Sequence, residues 1–167
     1  MTMGRLQRKR PQARPSHRAD MVALLFAGIL TGNELGSWLV VHPALSTLPP
    51  EAHIRAEQAM YRRYGRYMPV LMTATLASAV SSLIEMSPRQ DATSLRLSAA
   101  AAACYLAMLG VTLAGNVPIN SRILALSPVA SRYEEFLRLR RSWDRLHALR
   151  NLLNGAGFSL LISGSLR

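Results

Sequence analysis

The sequence predicts an all-α, four-transmembrane-helix bundle, and three observations carry that expectation. Apolar runs that cross a bilayer or approach crossing length recur four times, at residues 21–41, 68–83, 97–117 and 152–166. Charge is segregated from them: Arg5, Arg8, Lys9, Arg10, Arg14 and Arg18 crowd the N-terminus without an acid. The third run, LSAAAAACYLAMLGVTLAG, is rich in the small residues that let helix backbones approach closely in lipid. A mean hydropathy of only +0.13 and a formal net charge of +11 average over these contrasts and conceal them.

The first run is full-length and is preceded by a basic stretch. It exceeds a signal-peptide core and no small-x-small site closes it, so an uncleaved signal anchor is expected. Residues 1–18 are expected as a disordered basic tail broken by Pro11 and Pro15, with residues 19–167 forming the membrane domain. Between runs one and two, residues 51–67 follow the double proline Pro49-Pro50 and carry Tyr61, Tyr64 and Tyr67 among arginines, which suits an interfacial helix at headgroup level, with His53 at its surface. The second run opens on Met68-Pro69, a natural helix start, and Pro118 is expected to stop the third helix. The fourth run is short and needs the Arg-rich amphipathic stretch before it, residues 132–154, as a long helical extension.

The basic N-terminus places that end in the cytoplasm, although Arg122, Arg132, Arg138, Arg140, Arg141 and Arg145 between runs three and four argue the other way. Lys9 is the only lysine among twenty basic residues, a composition that suggests a GC-rich genome, and a bacterial cytoplasmic membrane is the expected location of this multi-pass protein. The arginines flank apolar runs without any nucleic-acid-binding motif, so their expected partner is anionic lipid and no nucleic acid is expected. Cys104 stands alone, which excludes an intrachain disulfide, a cysteine metal cluster and a CxxC redox pair.

Chemistry must then come from polar residues within and beside the helices. Glu34 is the only formal charge in run one, and an ionisable side chain at membrane depth costs several kcal/mol unless it faces a bundle interior and finds a partner. Glu34, Trp38 and His42 follow at i, i+4, i+8, along one helical face that drifts by about 40 degrees per step. Pro43 is expected to end or bend the helix after His42, and without a bend the acid and the imidazole are too far apart to hold one ion. Asn116 and Asn120 flank Pro118 and can cap freed backbone groups or meet a ligand. In the extension, Phe136, Leu139, Trp143, His147, Arg150 and Asn154 fall with Leu146 and Leu153 inside an arc of roughly 120 degrees, so His147, Arg150 and Asn154 form a polar column on the packing face. Arg150 or protonated His147 is the expected counter-ion of Glu34.

The combination of TGNELGSWLVVHPAL, GNVPIN and RSWDRLHALRNLLN resembles the anthrone oxygenase-like family of small four-helix membrane proteins, over about residues 21–166. The resemblance rests most on Asn116, Pro118 and Asn120 and on Trp143, His147 and Arg150. It implies oxidation of a hydrophobic small molecule by dioxygen, of the anthrone-to-anthraquinone type. In that frame Glu34 or His147 acts as base, Arg150, Asn116 and Asn120 stabilise an enolate oxygen, and Trp38, Trp143 and Asn154 complete the substrate site.

Two chemistries stay open: oxidation without a cofactor, or a haem or non-haem iron or copper ligated by His42 and His147. A non-catalytic scaffold, lipid-binding or accessory role is the rival class, and it predicts that Glu34, His147 and Arg150 are satisfied separately. The small-residue face of run three also offers a surface for a homo-oligomer.

Overall fold

The computed structural model describes residues 15–85 and 92–166, and its described residues are almost entirely helical with no strand among them. The basic tail up to position 14 lies outside the described residues. The elements are α1 (Pro15–Gly36), α2 (His42–Leu45), α3 (Pro50–Ile84), α4 (Ala92–Val111), α5 (Val117–Ala125) and α6 (Tyr133–Ser165). A π-turn, Ser37–Val41, joins α1 to α2, and a second, Thr112–Asn116, joins α4 to α5. A 3-10 turn, Ala130–Arg132, leads into α6. These elements make four long rods, three of which, Arg18–Leu45, Pro50–Ile84 and Ala92–Ala125, are long and apolar enough to cross a membrane.

The rods form a ring in chain order. α1 packs on α3 and α6, and α4 packs on α3 and, most extensively, on α6. Neighbours run antiparallel. Near the start of α1 Asp20 accepts a hydrogen bond from Ser82 near the end of α3, and along α4 and α6 the close pairs are Ser98 with Gly164 and Tyr105 with Gly157. Four-residue connections such as residues 46–49 and 126–129 suit such neighbours. At the far end Gln58 Nε2 donates to the carbonyls of Ile123 and Leu126, 2.9 and 2.8 Å away, satisfying the open C-terminus of α5 from α3.

Two prolines behave differently from the sequence expectation. Pro69 does not start a helix: α3 runs unbroken from Pro50 to Ile84, so residues 51–67 are the first half of a spanning rod and not a separate headgroup-level helix. Pro118 does not stop its helix either, whereas the first rod ends at Leu45, two residues beyond Pro43. Pro43 and Pro118 each follow two residues after a π-turn. A proline ring clashes with the carbonyl four residues back and donates no amide bond, and a turn closed by i→i+5 bonds relieves both problems without ending the rod.

Two apolar clusters hold the ring together. One gathers Leu30, Met72, Ala101, Tyr105, Met108 and Leu161 from all four rods; the other gathers Ile54, Tyr61, Ile123, Phe136, Leu139 and Trp143 around α5 and the first half of α6. On α4 the small residues Ser94, Ser98, Ala101 and Ala102 are buried within the chain, whereas Ala99, Ala100, Ala103 and Ala107 face outward.

The close contact of α4 with α6 depends on Gly157, where an added Cβ would stand 3.0 Å from the Tyr105 ring. Gly157→Val is expected to destabilise the bundle by about 1–3 kcal/mol through overpacking, while Gly110→Ala, with nothing within 4 Å, leaves it unchanged or slightly more stable. Thermal unfolding in detergent checks this, and an unchanged midpoint for Gly157→Val would show that the ring yields freely.

Candidate functional site

Glu34 lies on the inward face of α1 and is 2 % exposed. Its Oε1 accepts a short hydrogen bond from Arg150 Nη2 on α6, and this ion pair joins the first rod to the last. His147, one turn before Arg150, places Nδ1 3.2 Å from Glu34 Oε2, but too far off line for a hydrogen bond, so that oxygen and both imidazole nitrogens remain without partners. Arg150 Nε is also unpartnered. The indole of Trp143 stacks on His147, with ring centroids 4.4 Å apart, and meets His42 edge-on at 4.8 Å.

These groups face a common cavity of about 270 Å³, near the small end of the range of roughly 300–1,000 Å³ typical of small-molecule sites. Glu34, His42, Trp143, His147, Arg150 and Asn120 line it together with the apolar side chains of Met60, Met68, Met72 and Leu109. Its outer rim is made of exposed residues, Gly65, Pro69 and Thr73 of α3 and Leu113 and Val117 of the facing rod.

The polar column expected on α6 is buried as a unit, with His147, Arg150 and Asn154 at 2, 6 and 1 % exposure. Asn154 does not reach the cavity; its Oδ1 accepts a hydrogen bond from Thr31 at 3.2 Å, tying α6 to α1. Asn116 is fully buried behind the wall and its Nδ2 donates to the Trp143 carbonyl at 3.4 Å. Trp38 points outward and is exposed, so it lines no part of the cavity. The cavity faces Asn33, Glu34 and Ser37, and the 40-degree drift of an i, i+4 step carries Trp38 off that side. An uninterrupted α-helix would carry His42 about 80 degrees from Glu34. The wider π-turn between them rotates less per residue and returns His42 to the cavity.

A second buried acid was missed in the sequence. Glu57 on α3 is fully buried and accepts from His42 Nδ1 at 2.8 Å, with His53 Nε2 at 3.7 Å and Arg140 Nη1 at 3.6 Å. Arg140 also donates to the Tyr61 hydroxyl at 2.6 Å and pairs with Asp144. His53 is therefore buried, not at a surface, with Nδ1 3.0 Å from the Tyr133 hydroxyl. The signal was the spacing His53, Glu57, Tyr61, one stripe of α3; assigning that stretch to the headgroups hid it. In the α6 extension, burial opposes the Arg140 charge, but Tyr61, Glu57 and Asp144 hold its guanidinium above its ordinary range. Burial likewise pushes the Asp144 carboxyl up, against the pull of Arg140.

Among the described residues no three His, Cys, Asp or Glu side chains converge as a metal-ligand set. The His42 and His147 rings stand 5.9 Å apart, nearly perpendicular, and His42 Nδ1 is already taken by Glu57.

The fold and the cavity define a small helical membrane protein with a charge-lined apolar site inside its bundle. The anthrone oxygenase family model matches residues 58–160, and the chain belongs to that family. The match spans Asn120, Trp143, His147 and Arg150 but begins after Glu34, His42 and Glu57. No curated protein and no solved structure matches the chain.

The Glu34–Arg150 pair sets a clear stability expectation. Arg150→Met leaves a buried carboxylate without its partner and is expected to cost about 3–5 kcal/mol, whereas Glu34→Gln combined with Arg150→Met recovers much of that loss. A double-mutant cycle by thermal unfolding measures the coupling, and additive losses would show that the two side chains do not act as a pair.

Proposed function

We propose that the protein is a membrane-embedded oxygenase that oxidises an apolar, polycyclic carbonyl compound of the anthrone type with dioxygen. The observation that carries this reading is the cavity itself: a largely apolar lining of a size for a small ring system, with Arg150, His147, His42 and Asn120 among the side chains that face it. Membership of the anthrone oxygenase family supports the reaction class. An anthrone has one ketone oxygen and, across the ring, a CH2 group whose protons are acidic because the resulting anion delocalises onto that oxygen. Arg150, through its unpartnered Nε, is a donor for the developing oxyanion, and preorganised donors of this kind typically contribute 10²–10³ in rate. The apolar walls exclude water from the carbanion and from the peroxide that follows.

The rim supports an apolar substrate arriving through the bilayer. Pro69, Thr73, Leu113 and Val117 lie in the apolar rods, so the mouth between α3 and the facing rod opens toward hydrocarbon. A molecule dissolved in the membrane enters without crossing the aqueous phase.

Two measurements test this. Purified protein in nanodiscs, given anthrone, is expected to consume one dioxygen per anthraquinone formed; binding of anthrone without oxygen uptake would reduce the protein to a carrier. Leu113→Trp, which narrows the mouth without touching Glu34 or Arg150, is expected to lower kcat/KM about tenfold or more, ~1.4 kcal/mol in barrier. Full activity in that variant would place the entrance elsewhere.

A further inference from the structure

We infer that the proton acceptor of the site is His42 Nε2, held in its basic tautomer by the buried carboxylate of Glu57; the inference rests on the oxygenase reading above. His42 sits just beyond the π-turn, lines the cavity, and is 6 % exposed. Its Nδ1 lies 2.8 Å from Glu57 Oε1. An ionised carboxylate only accepts hydrogen bonds, so Nδ1 carries the proton and Nε2 presents a lone pair. That Nε2 is buried and has no partner in the protein. Base, orienting acid and an open position for a reacting proton are the parts of a carboxylate–histidine dyad, recognised by geometry and not by sequence order.

The other two candidates are less suited. Glu34 gives one oxygen to Arg150, and the guanidinium stabilises the charge that a base must surrender. His147 has neither nitrogen in a well-aligned hydrogen bond, and the carboxylate 3.2 Å from its Nδ1 is Glu34, already paired with Arg150, so its ring is held less firmly than that of His42. Around Glu57, Arg140 from α6 stands 3.6 Å from Oε2, and His53 from its own helix stands 3.7 Å from Oε1, the oxygen that accepts the hydrogen bond from His42.

The reaction then balances without further reagents. His42 Nε2 takes one proton from the substrate CH2, and the C–H electron pair passes into the ring system as an enolate whose oxygen is met by Arg150. The electron-rich carbon reduces dioxygen and forms a C–O bond, and the imidazolium returns its proton to the terminal peroxide oxygen. His42 removes the remaining C–H proton; that pair becomes the second bond of the new ketone, the O–O bond breaks, and the departing hydroxide leaves as water with the proton. In sum, a CH2 and O2 become a C=O and H2O. Glu57 touches no reacting atom and is a positioning residue.

Proton abstraction can be read apart from oxidation. With oxygen removed, the full chain in nanodiscs is given anthrone in D2O, and deuterium entry at the CH2 group is followed by mass spectrometry above the protein-free rate. The wild type is expected to accelerate exchange, His42→Ala to lose that acceleration by about 10²–10⁴-fold, and added imidazole to restore part of it. Glu57→Gln, similar in shape but uncharged, is expected to slow exchange at least about tenfold with little change in anthrone binding. Exchange at the wild-type rate in either variant, with oxygen-dependent turnover intact in the wild type, overturns the dyad and leaves the oxygenase reading standing. A wild type that neither exchanges nor turns over anthrone overturns both. If His42→Ala does not fold, Glu57→Gln decides the question alone.

Discussion

A carboxylate inside an apolar helix is tolerated only where another group supplies what water would have supplied, and in this bundle that group is Arg150. The pair lies between the first and last rods, so it fixes the rotation of α6 against α1. Once Arg150 points inward, the helical period brings His147 and Asn154 to the same side, and Trp143 follows one turn earlier. Asn154 then binds Thr31 and secures the same seam. The alternative, a pair at the edge of the bundle, would leave α6 free to turn its arginines either way. The exposed Arg138, Arg141 and Arg145 show the outcome: the face opposite the pair carries the exposed charge.

The second constraint is proline. Each of Pro43 and Pro118 removes a backbone donor from a rod that must still cross apolar surroundings, where an unsatisfied carbonyl is costly. A π-turn ahead of each proline keeps the rods continuous and also changes the phase of the residues beyond it. In the first rod this rotates His42 back beside Glu34. In the third it seats Asn116 behind the Trp143 carbonyl and leaves Asn120 on the cavity wall. The same device that relieves proline strain thus brings polar groups into an otherwise apolar bundle, in keeping with the frequent occurrence of π-turns at functional sites.

The number of helices and the inward column of α6 were legible because both rest on periodicity and segregated charge, which act locally. So was Arg150 as the group that answers Glu34: a lone acid in an apolar run demands a partner, and few cations lie on an inward face. The fates of Pro69 and Pro118 were not legible, since local rules say that proline interrupts a helix and only tertiary packing decides whether a rod continues around it. Trp38 was misplaced because an ideal 40-degree drift looks tolerable until the width of the cavity is known. Glu57 and Arg140 went unseen for a related reason. Each sits in an Arg-rich stretch whose composition suits a headgroup-facing surface, and burial of the pair depends on α5 and α6 closing over α3.

Two buried acids serve one cavity in different company, Glu34 on its wall and Glu57 behind His42. Glu34 is tied to an arginine that carries a permanent charge, so its pair serves to hold charge in place and to stabilise more of it nearby. Glu57 meets the cavity only through His42, whose proton can leave. On the proposed reading the two carboxylates have different tasks, Glu34 holding Arg150 toward an oxyanion and Glu57 orienting the base His42. Neither arrangement would serve alone. In that reading the base forms the anion and the oxyanion partner stabilises it. The folding problem of placing two acids in lipid is met with two partners, and the difference between those partners is what gives the cavity its chemistry.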